Sequence, residues 1–215
     1  MNKSDVMFDA WLMHTKPVMP VIVNNHESDA LPLADALMKG GVRLFEVTLR
    51  TASALHAIEV MSRELPDLIT GAGTVIRPEQ VDDVANAGGR FIVSPGFSET
   101  IAKRAEAHGL AYLPGVATAT EIMMALNCGY QFLKFYPAAQ AGGVNMIKAF
   151  SGPFPQVTFC PTGGISEQDY GDYLKLNNVR CVGGSWFVSS QLVRDKKWAT
   201  ITSLAEELPA TKSAK

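Results

Sequence analysis

Short β-branched runs alternate with helix-forming stretches along the whole chain, and this alternation leaves few ways to fold. Residues 18–23 form the first β-branched run, and residues 29–39 read as a helix that stops on Gly40-Gly41, a glycine C-terminal signal. The pattern then recurs. Strand-like 44–49 precedes helix-like 52–65, stopped by Pro66, and 68–71 precedes a helix over 78–87 opened by Pro78 and closed by Gly88-Gly89. Residues 91–94 lead to a helix over 98–108, 111–113 to one over 118–127, and 131–137 to one over 144–150. Residues 157–160 and 167–176 make the next pair, and 179–182 precede a C-terminal helical region that includes 198–208. About eight strand–helix units, spaced by roughly 20 to 25 residues, predict a parallel sheet covered by helices. An open doubly wound sheet and a closed barrel both satisfy that pattern, and the count favours the α/β (β/α)8 TIM barrel. Connections are short, so residues 1–215 read as a single domain. A short amphipathic helix over 4–13, with Val6, Phe8, Trp11 and Leu12 toward one side, occupies the first sixteen residues, and 209–215 read as a polar tail.

Hydrophobic residues make up 47% of the 215 positions, enough for a large core. The net charge of −2 gives no basic field for a phosphate backbone, so no nucleic-acid partner is expected. The first residues lack a secretory pattern and no apolar run reaches membrane-spanning length, so a cytoplasmic protein without a membrane partner is expected. Cys128, Cys160 and Cys181 are odd in number and lack a CxxC, and read as reduced, buried thiols. His14, His26, His56 and His108 are scattered with no ligand spacing, so no metal site is expected.

Lys134 is the chemically unusual residue. It interrupts the apolar strand Gln131-Phe132-Leu133-Lys134-Phe135-Tyr136-Pro137, where the period of two puts Phe132, Lys134 and Tyr136 on one face. Both faces are bulky, as in a strand covered on two sides. Lost hydration there disfavours the ammonium and favours the neutral, nucleophilic amine. The plainer reading is a strand-end lysine that snorkels to water.

In a barrel, reactive groups sit at the C-terminal ends of strands. On the second strand Glu46, Thr48 and Arg50 alternate with Phe45, Val47 and Leu49, so the polar set points into the mouth or forms a Glu/Arg plug. Thr74 follows Gly71-Ala72-Gly73, a run that lacks the third glycine of a dinucleotide fingerprint. Ser94-Pro95-Gly96 and Pro114-Gly115 end the fourth and fifth strands. Two glycine pairs, Gly163-Gly164 and Gly183-Gly184, end the seventh and eighth, where barrels commonly hold phosphate.

Taken together, the motifs are similar to those of the 2-keto-3-deoxy-6-phosphogluconate (KDPG) and 4-hydroxy-2-oxoglutarate (KHG) aldolases. The stretch Gly41-Val42-Arg43-Leu44-Phe45-Glu46-Val47-Thr48-Leu49-Arg50 resembles their first signature, and Gly129 through Lys134 to Pro137-Ala138 and Gly142 their second. Gly71-Ala72-Gly73-Thr74, Phe159-Cys160-Pro161-Thr162-Gly163-Gly164 and Gly183-Gly184-Ser185-Trp186 extend the likeness over nearly the whole chain. Tyr136 stands where the family usually has phenylalanine, and Ala138-Ala139-Gln140-Ala141 departs from a pattern that contains a glutamate.

The resemblance implies a class I aldolase that needs no cofactor or metal and is commonly a homotrimer. Lys134 would form the Schiff base and Glu46 would be the general base. Arg50, Thr74 and Thr162 would hold the substrate carboxylate, Pro95 and Tyr136 would shape the wall, and Gly163, Gly164, Gly184 and Ser185 would cradle the phosphate. The small-molecule partners would be a phosphorylated keto acid and pyruvate. The sequence leaves open the choice among KDPG, its C4 epimer and KHG. A phosphosugar isomerase or epimerase, and a noncatalytic phosphosugar-binding protein, are the competing readings.

Overall fold

A computed structural model of the chain describes residues 2–211, so Met1 and residues 212–215 of the expected tail lie outside the described residues. The strand segments are β1 Val18–Ile22, β2 Leu44–Thr48, β3 Ile69–Gly73, β4 Phe91–Val93, β5 Ala111–Leu113, β6 Gly115–Val116, β7 Phe132–Phe135, β8 Thr158–Pro161 and β9 Val182–Gly184. Between and around them lie α1 Lys3–Leu12, α2 Ala30–Lys39, α3 Ala54–Glu64, α4 Pro78–Asn86, α5 Glu99–His108, α6 Ala119–Asn127, α7 Gly143–Phe150, α8 Tyr170–Leu174, α9 Ser190–Arg194 and α10 Trp198–Glu206. All strand pairings are parallel. Six strands pair in the order β5-β4-β3-β2-β1-β9 and three in the order β6-β7-β8. The fold is therefore an α/β arrangement around a curled parallel sheet in two sections, rather than the eight uninterrupted strands expected.

Both interruptions have local causes. Pro114 separates β5 from β6, since proline donates no N–H to a ladder. Between β8 and the chain entering β9, pairing is reduced to single parallel bridges, Phe159 with Val179 and Thr162 with Gly183. The last strand accordingly begins at Val182 and not at 179. The expected helix over 167–176 shrinks to α8, because the Asp169 carboxylate accepts the Ser166 N–H at 2.6 Å and its hydroxyl at 2.9 Å, holding that stretch as a turn. Helix α3 starts at Ala54 rather than 52, since Thr51 and Ser53 hydroxyls donate to the Asn24 carbonyl. The C-terminal region divides into a 3-10 turn over Trp186–Val188, α9 and α10.

Side-chain alternation splits the core into two layers. Phe45, Val47, Ile92, Leu133, Phe135 and Phe159 pack outward with the helices. Leu44, Phe91, Val93, Phe132, Cys160 and Cys181 face inward, where Phe8 and Leu12 of α1 join them. The Phe8 ring meets Phe91 and Phe132 edge-on, with centroids 5.4 and 5.5 Å away, so α1 plugs the inner face. Truncating such a ring costs about 3–5 kcal/mol.

Helix α1 differs from its expected amphipathic face: Val6 is 49% exposed, while Asp5 is buried. The Asp5 carboxylate accepts the N–H groups of Gln131 at 3.1 Å and Phe132 at 3.2 Å, two main-chain donors at the start of β7. Burial pushes the Asp5 carboxyl upward, against the opposing pull of those amides. Cys128 also departs from expectation, being exposed at the end of α6, whereas Cys160 and Cys181 are buried.

A cavity of about 830 Å³ lies between α1, α8 and the chain at Pro209 to Thr211. Its wall includes Pro17, Thr158 and Arg180, which adjoin strand starts, so it opens at the end of the sheet opposite the polar strand ends. No helix among the described residues is long and apolar enough to cross a membrane.

Candidate active site

Glu46 is the third residue of β2 and Lys134 the third of β7. Alternation sends both inward, beyond the aromatic layer supplied by α1. Lys134 lies between Gly115 of β6 and Cys160 of β8 in register, so one neighbour on the inner face has no side chain. Lys134 Nζ donates to Glu46 Oε1 at 3.1 Å, and the side chains are only 5% and 1% exposed. Breaking such a buried pair by deleting one member costs about 3–5 kcal/mol, because the other charge is left unpaired.

Two alternatives are decided here. Lys134 does not snorkel to water, since it is buried and donates to a carboxylate. Glu46 pairs with Lys134 and not with Arg50, so the Glu/Arg plug is not formed among the described residues. Glu46 Oε2 is buried and has no hydrogen-bond partner among the described residues, so one oxygen holds the lysine and the other is uncommitted. An amine and a carboxylate at this distance are within the hydrogen-bond reach that a nucleophile and its base require.

Gly73 makes the pairing possible. A Cβ at that position would stand 2.1 Å from Glu46 Oε1, so only glycine lets the carboxylate cross β3 toward Lys134. Gly71 does the same for the Phe91 ring, which a Cβ would meet at 2.4 Å. The Gly71-Ala72-Gly73 run thus has a steric reason. Sequence reasoning missed this role for Gly73; the signal available was a second glycine on the inner face of the strand paired with Glu46.

The remaining predicted residues fall into three groups. Arg50 and Thr74 meet, with Arg50 Nε donating to Thr74 Oγ1 at 3.1 Å. Arg50 is exposed and pairs with no carboxylate among the described residues, leaving its other N–H groups available. Thr74 has φ of 60°, a left-handed conformation that is strained for a β-branched residue and recurs at ligand sites. Thr48 is fully buried and spends its hydroxyl on the Ile22 carbonyl at 2.9 Å.

Tyr136 and Gly163 form the second group. The Lys134 nitrogen lies 5.2 Å from the Tyr136 ring centroid, and the same ring would meet a Cβ on Gly163 at 3.0 Å. Gly163 and Gly164 have φ of 99° and 73°, a turn open to glycine only. Thr162 is buried and bridges Gly183, whose missing Cβ leaves room for the Thr162 hydroxyl. That bridge places the two predicted glycine pairs side by side. Gly183 and Gly184 lack the positive φ of the first pair, and a Cβ on Gly184 would strike the Trp186 ring at 2.0 Å, so this pair is glycine for space. Ser185 follows, exposed.

Pro95 stands apart: it is exposed, and its carbonyl would lie 2.3 Å from a Cβ on Gly115, so it abuts the strand beside Lys134. Behind it, Ser94 Oγ donates to the Gly96 carbonyl at 2.6 Å, which leaves the Tyr112 hydroxyl, also 2.6 Å away, to donate to Ser94. Sequence reasoning missed this latch as well. No cluster of three or more metal-ligating side chains occurs among the described residues.

A buried lysine paired to a carboxylate, at the C-terminal ends of parallel strands and ringed by glycine turns, defines a site built for covalent carbonyl chemistry. Comparison with known proteins agrees. The sequence model of the aldolase family described as KDPG and KHG aldolase matches residues 10–204. The chain is 45% identical over 196 residues to the KHG/KDPG aldolase of Escherichia coli K12, covering 91% of this chain and 92% of that one. It is 46% identical to the 2-dehydro-3-deoxy-phosphogluconate aldolase of Dickeya dadantii, over 92% and 93% of the two chains. Among solved structures, the KDPG aldolase of Legionella pneumophila, with pyruvate captured at low pH as a covalent carbinolamine intermediate, superposes with a TM-score of 0.89 at 48% identity, covering 92% and 96%. The Zymomonas mobilis ZM4 enzyme with 3-phosphoglycerate gives 0.88 at 42% identity, covering 100% and 98%. The chain belongs to the KDPG and KHG aldolase family.

Proposed function

We propose that this chain is a class I aldolase that cleaves 2-dehydro-3-deoxy-6-phosphogluconate to pyruvate and D-glyceraldehyde 3-phosphate, and accepts 4-hydroxy-2-oxoglutarate, giving pyruvate and glyoxylate. The observation that carries this reading is the buried Lys134–Glu46 contact of 3.1 Å. Glu46 takes the proton that the ammonium must lose, and the freed amine adds to the C2 ketone. Glu46 returns that proton to the departing carbinolamine hydroxyl, so loss of water leaves an iminium and Glu46 as a carboxylate again. Glu46 then accepts the C4 hydroxyl proton, the C3–C4 bond breaks, and its electron pair moves through C2 to the iminium nitrogen. The aldehyde departs, Glu46 gives the proton it took from the C4 hydroxyl to C3 of the enamine, and hydrolysis releases pyruvate and Lys134.

Arg50 holds the substrate carboxylate with its uncommitted N–H groups, assisted by the Thr74 and Thr162 hydroxyls. Pro95 and Tyr136 form the wall, and Gly163, Gly164, Gly184 and Ser185 form the phosphate cradle. The adjacency of the two glycine pairs across the Thr162–Gly183 bridge supports that cradle. The curled sheet is read as a closed (β/α)8 barrel in a single domain, with the β5–β6 and β8–β9 interruptions as its seams. We assign a cytoplasmic homotrimer, supported by the free thiols and by exposed Met123, Met124 and Met146 on α6 and α7; sedimentation equilibrium should return three copies, and a monomer would refute the assignment.

Glu46→Gln tests the mechanism. It keeps the side-chain size and removes the base, so kcat should fall by about 100-fold or more with the fold retained. Full turnover in the folded variant would remove Glu46 from the acid–base role.

A further inference from the structure

The loop from β7 to α7 carries an exposed side chain, Gln140, that makes no hydrogen bond among the described residues. Two main-chain bonds tie this loop to the neighbouring turn: Ala138 N–H donates to the Thr162 carbonyl at 2.8 Å, and Ala139 N–H to the Gly163 carbonyl at 3.0 Å. The next side chain, Gln140, is thereby laid on that turn. A Cβ placed on Gly164 would stand 3.1 Å from Gln140 Nε2 and 3.3 Å from Oε1, with the Ala139 methyl at 2.7 Å. Gly164, at φ of 73°, carries no side chain, so nothing separates the carboxamide from the main chain of the turn. Gln140 is exposed, and its carboxamide makes no hydrogen bond among the described residues. An amide held over a glycine turn with both N–H groups unspent is a ligand donor in waiting.

We propose that Gln140 is a specificity-determining residue, whose carboxamide donates to the phosphoryl group of a phosphorylated sugar acid held at the Gly163–Gly164 turn. The inference rests on the phosphate-cradle reading and names a further donor in it. The reach of the substrate makes the effect selective. In 4-hydroxy-2-oxoglutarate the distal carboxylate is C5, attached directly to C4, so it stops one carbon and a phosphoryl short of the far end of the sugar acid. Gln140 therefore acts on the long, phosphorylated substrate and not on the short one. Its side chain adds a donor without a charge, so it sharpens recognition of the terminal group without drawing anions to the mouth in general.

The test compares wild type, Gln140→Ala and Gln140→Glu on three substrates: 2-dehydro-3-deoxy-6-phosphogluconate, its dephosphorylated form, and 4-hydroxy-2-oxoglutarate. For Gln140→Ala, KM for the phosphorylated acid should rise about five- to tenfold with kcat unchanged, the loss expected for one hydrogen bond. Gln140→Glu, nearly the same size, sets a carboxylate against the phosphoryl group and should raise that KM further. Neither variant should alter the constants for the two unphosphorylated substrates. Wild-type KM in both variants, or an equal kcat loss on all three substrates, would overturn the role of Gln140 and leave the cradle standing. A wild type that fails to prefer the phosphorylated acid over its dephosphorylated form would remove the cradle reading, and this proposal with it.

Discussion

Glu46 depends on an atom that is absent from its neighbour. The carboxylate reaches Lys134 because residue 73 has no Cβ, an atom that would stand 2.1 Å from Oε1. Gly73→Ala should therefore push the carboxylate off the amine while leaving the outward layer of β3 intact. A displacement on the order of 1 Å at a reacting group is worth up to about 100-fold in rate. The expected outcome is a kcat loss of 10-fold or more, with a native circular dichroism spectrum. Wild-type kcat in folded Gly73→Ala would mean that the approach of Glu46 is not set by this glycine. At this scale the sequence was legible for reactive groups and silent on spacers. Lys134 and Glu46 stand out because a charge in an apolar strand needs a reason; Gly73 is explained only by a neighbouring strand in known register.

The strands and helices followed from periodicity wherever a side chain's face decided its fate. Leu133 and Phe135 turn outward and Phe132 and Lys134 inward, as alternation requires. What escaped were features set by contacts distant in sequence. Asp5 is buried because β7 begins nearby in space, and nothing within α1 announces it. Strand β5 ends at Leu113 for the local reason that Pro114 follows, whereas the weak pairing of β8 with β9 depends on both segments.

The β4–β5 latch gives a prediction at the scale of elements. Tyr112 is buried and bonded to Ser94, and burial pushes its phenol up to about 12. An unfolded tyrosine titrates near 10. The folded form thus keeps its proton when the unfolded form gives it up. Stability from this group is fully present below about pH 10 and is lost as pH rises toward 12, by on the order of 2 kcal/mol. Tyr112→Phe cannot titrate. Urea unfolding measured between pH 9 and 11.5 should show a steeper loss for wild type than for the variant, and parallel slopes would refute the burial argument. Tyr130, also raised by burial, is raised further by the neighbouring Tyr112 phenol, so its own loss is smaller in Tyr112→Phe and adds to the difference.

Across the whole molecule, chemistry and void are at opposite ends. The about 830 Å³ cavity lies among strand starts, beneath the aromatic plug of Phe8, and the Lys134–Glu46 pair lies on the other side of that plug. A large cavity is thus a poor guide here, and an unusual ion pair a good one. Family membership was legible because its motifs carry functional constraints at strand ends. The choice among KDPG, its C4 epimer and KHG was not, because the glycine pairs argue for a phosphate and say nothing of the sugar that carries it. The central claim is that Lys134 becomes covalently bound to the keto acid. Borohydride reduction in the presence of pyruvate and EDTA, followed by intact mass and peptide mapping, tests it directly. A stable pyruvyl adduct on Lys134 is the predicted result; no adduct, in protein shown to be folded, would contradict the Schiff-base mechanism and favour an isomerase or a binding protein.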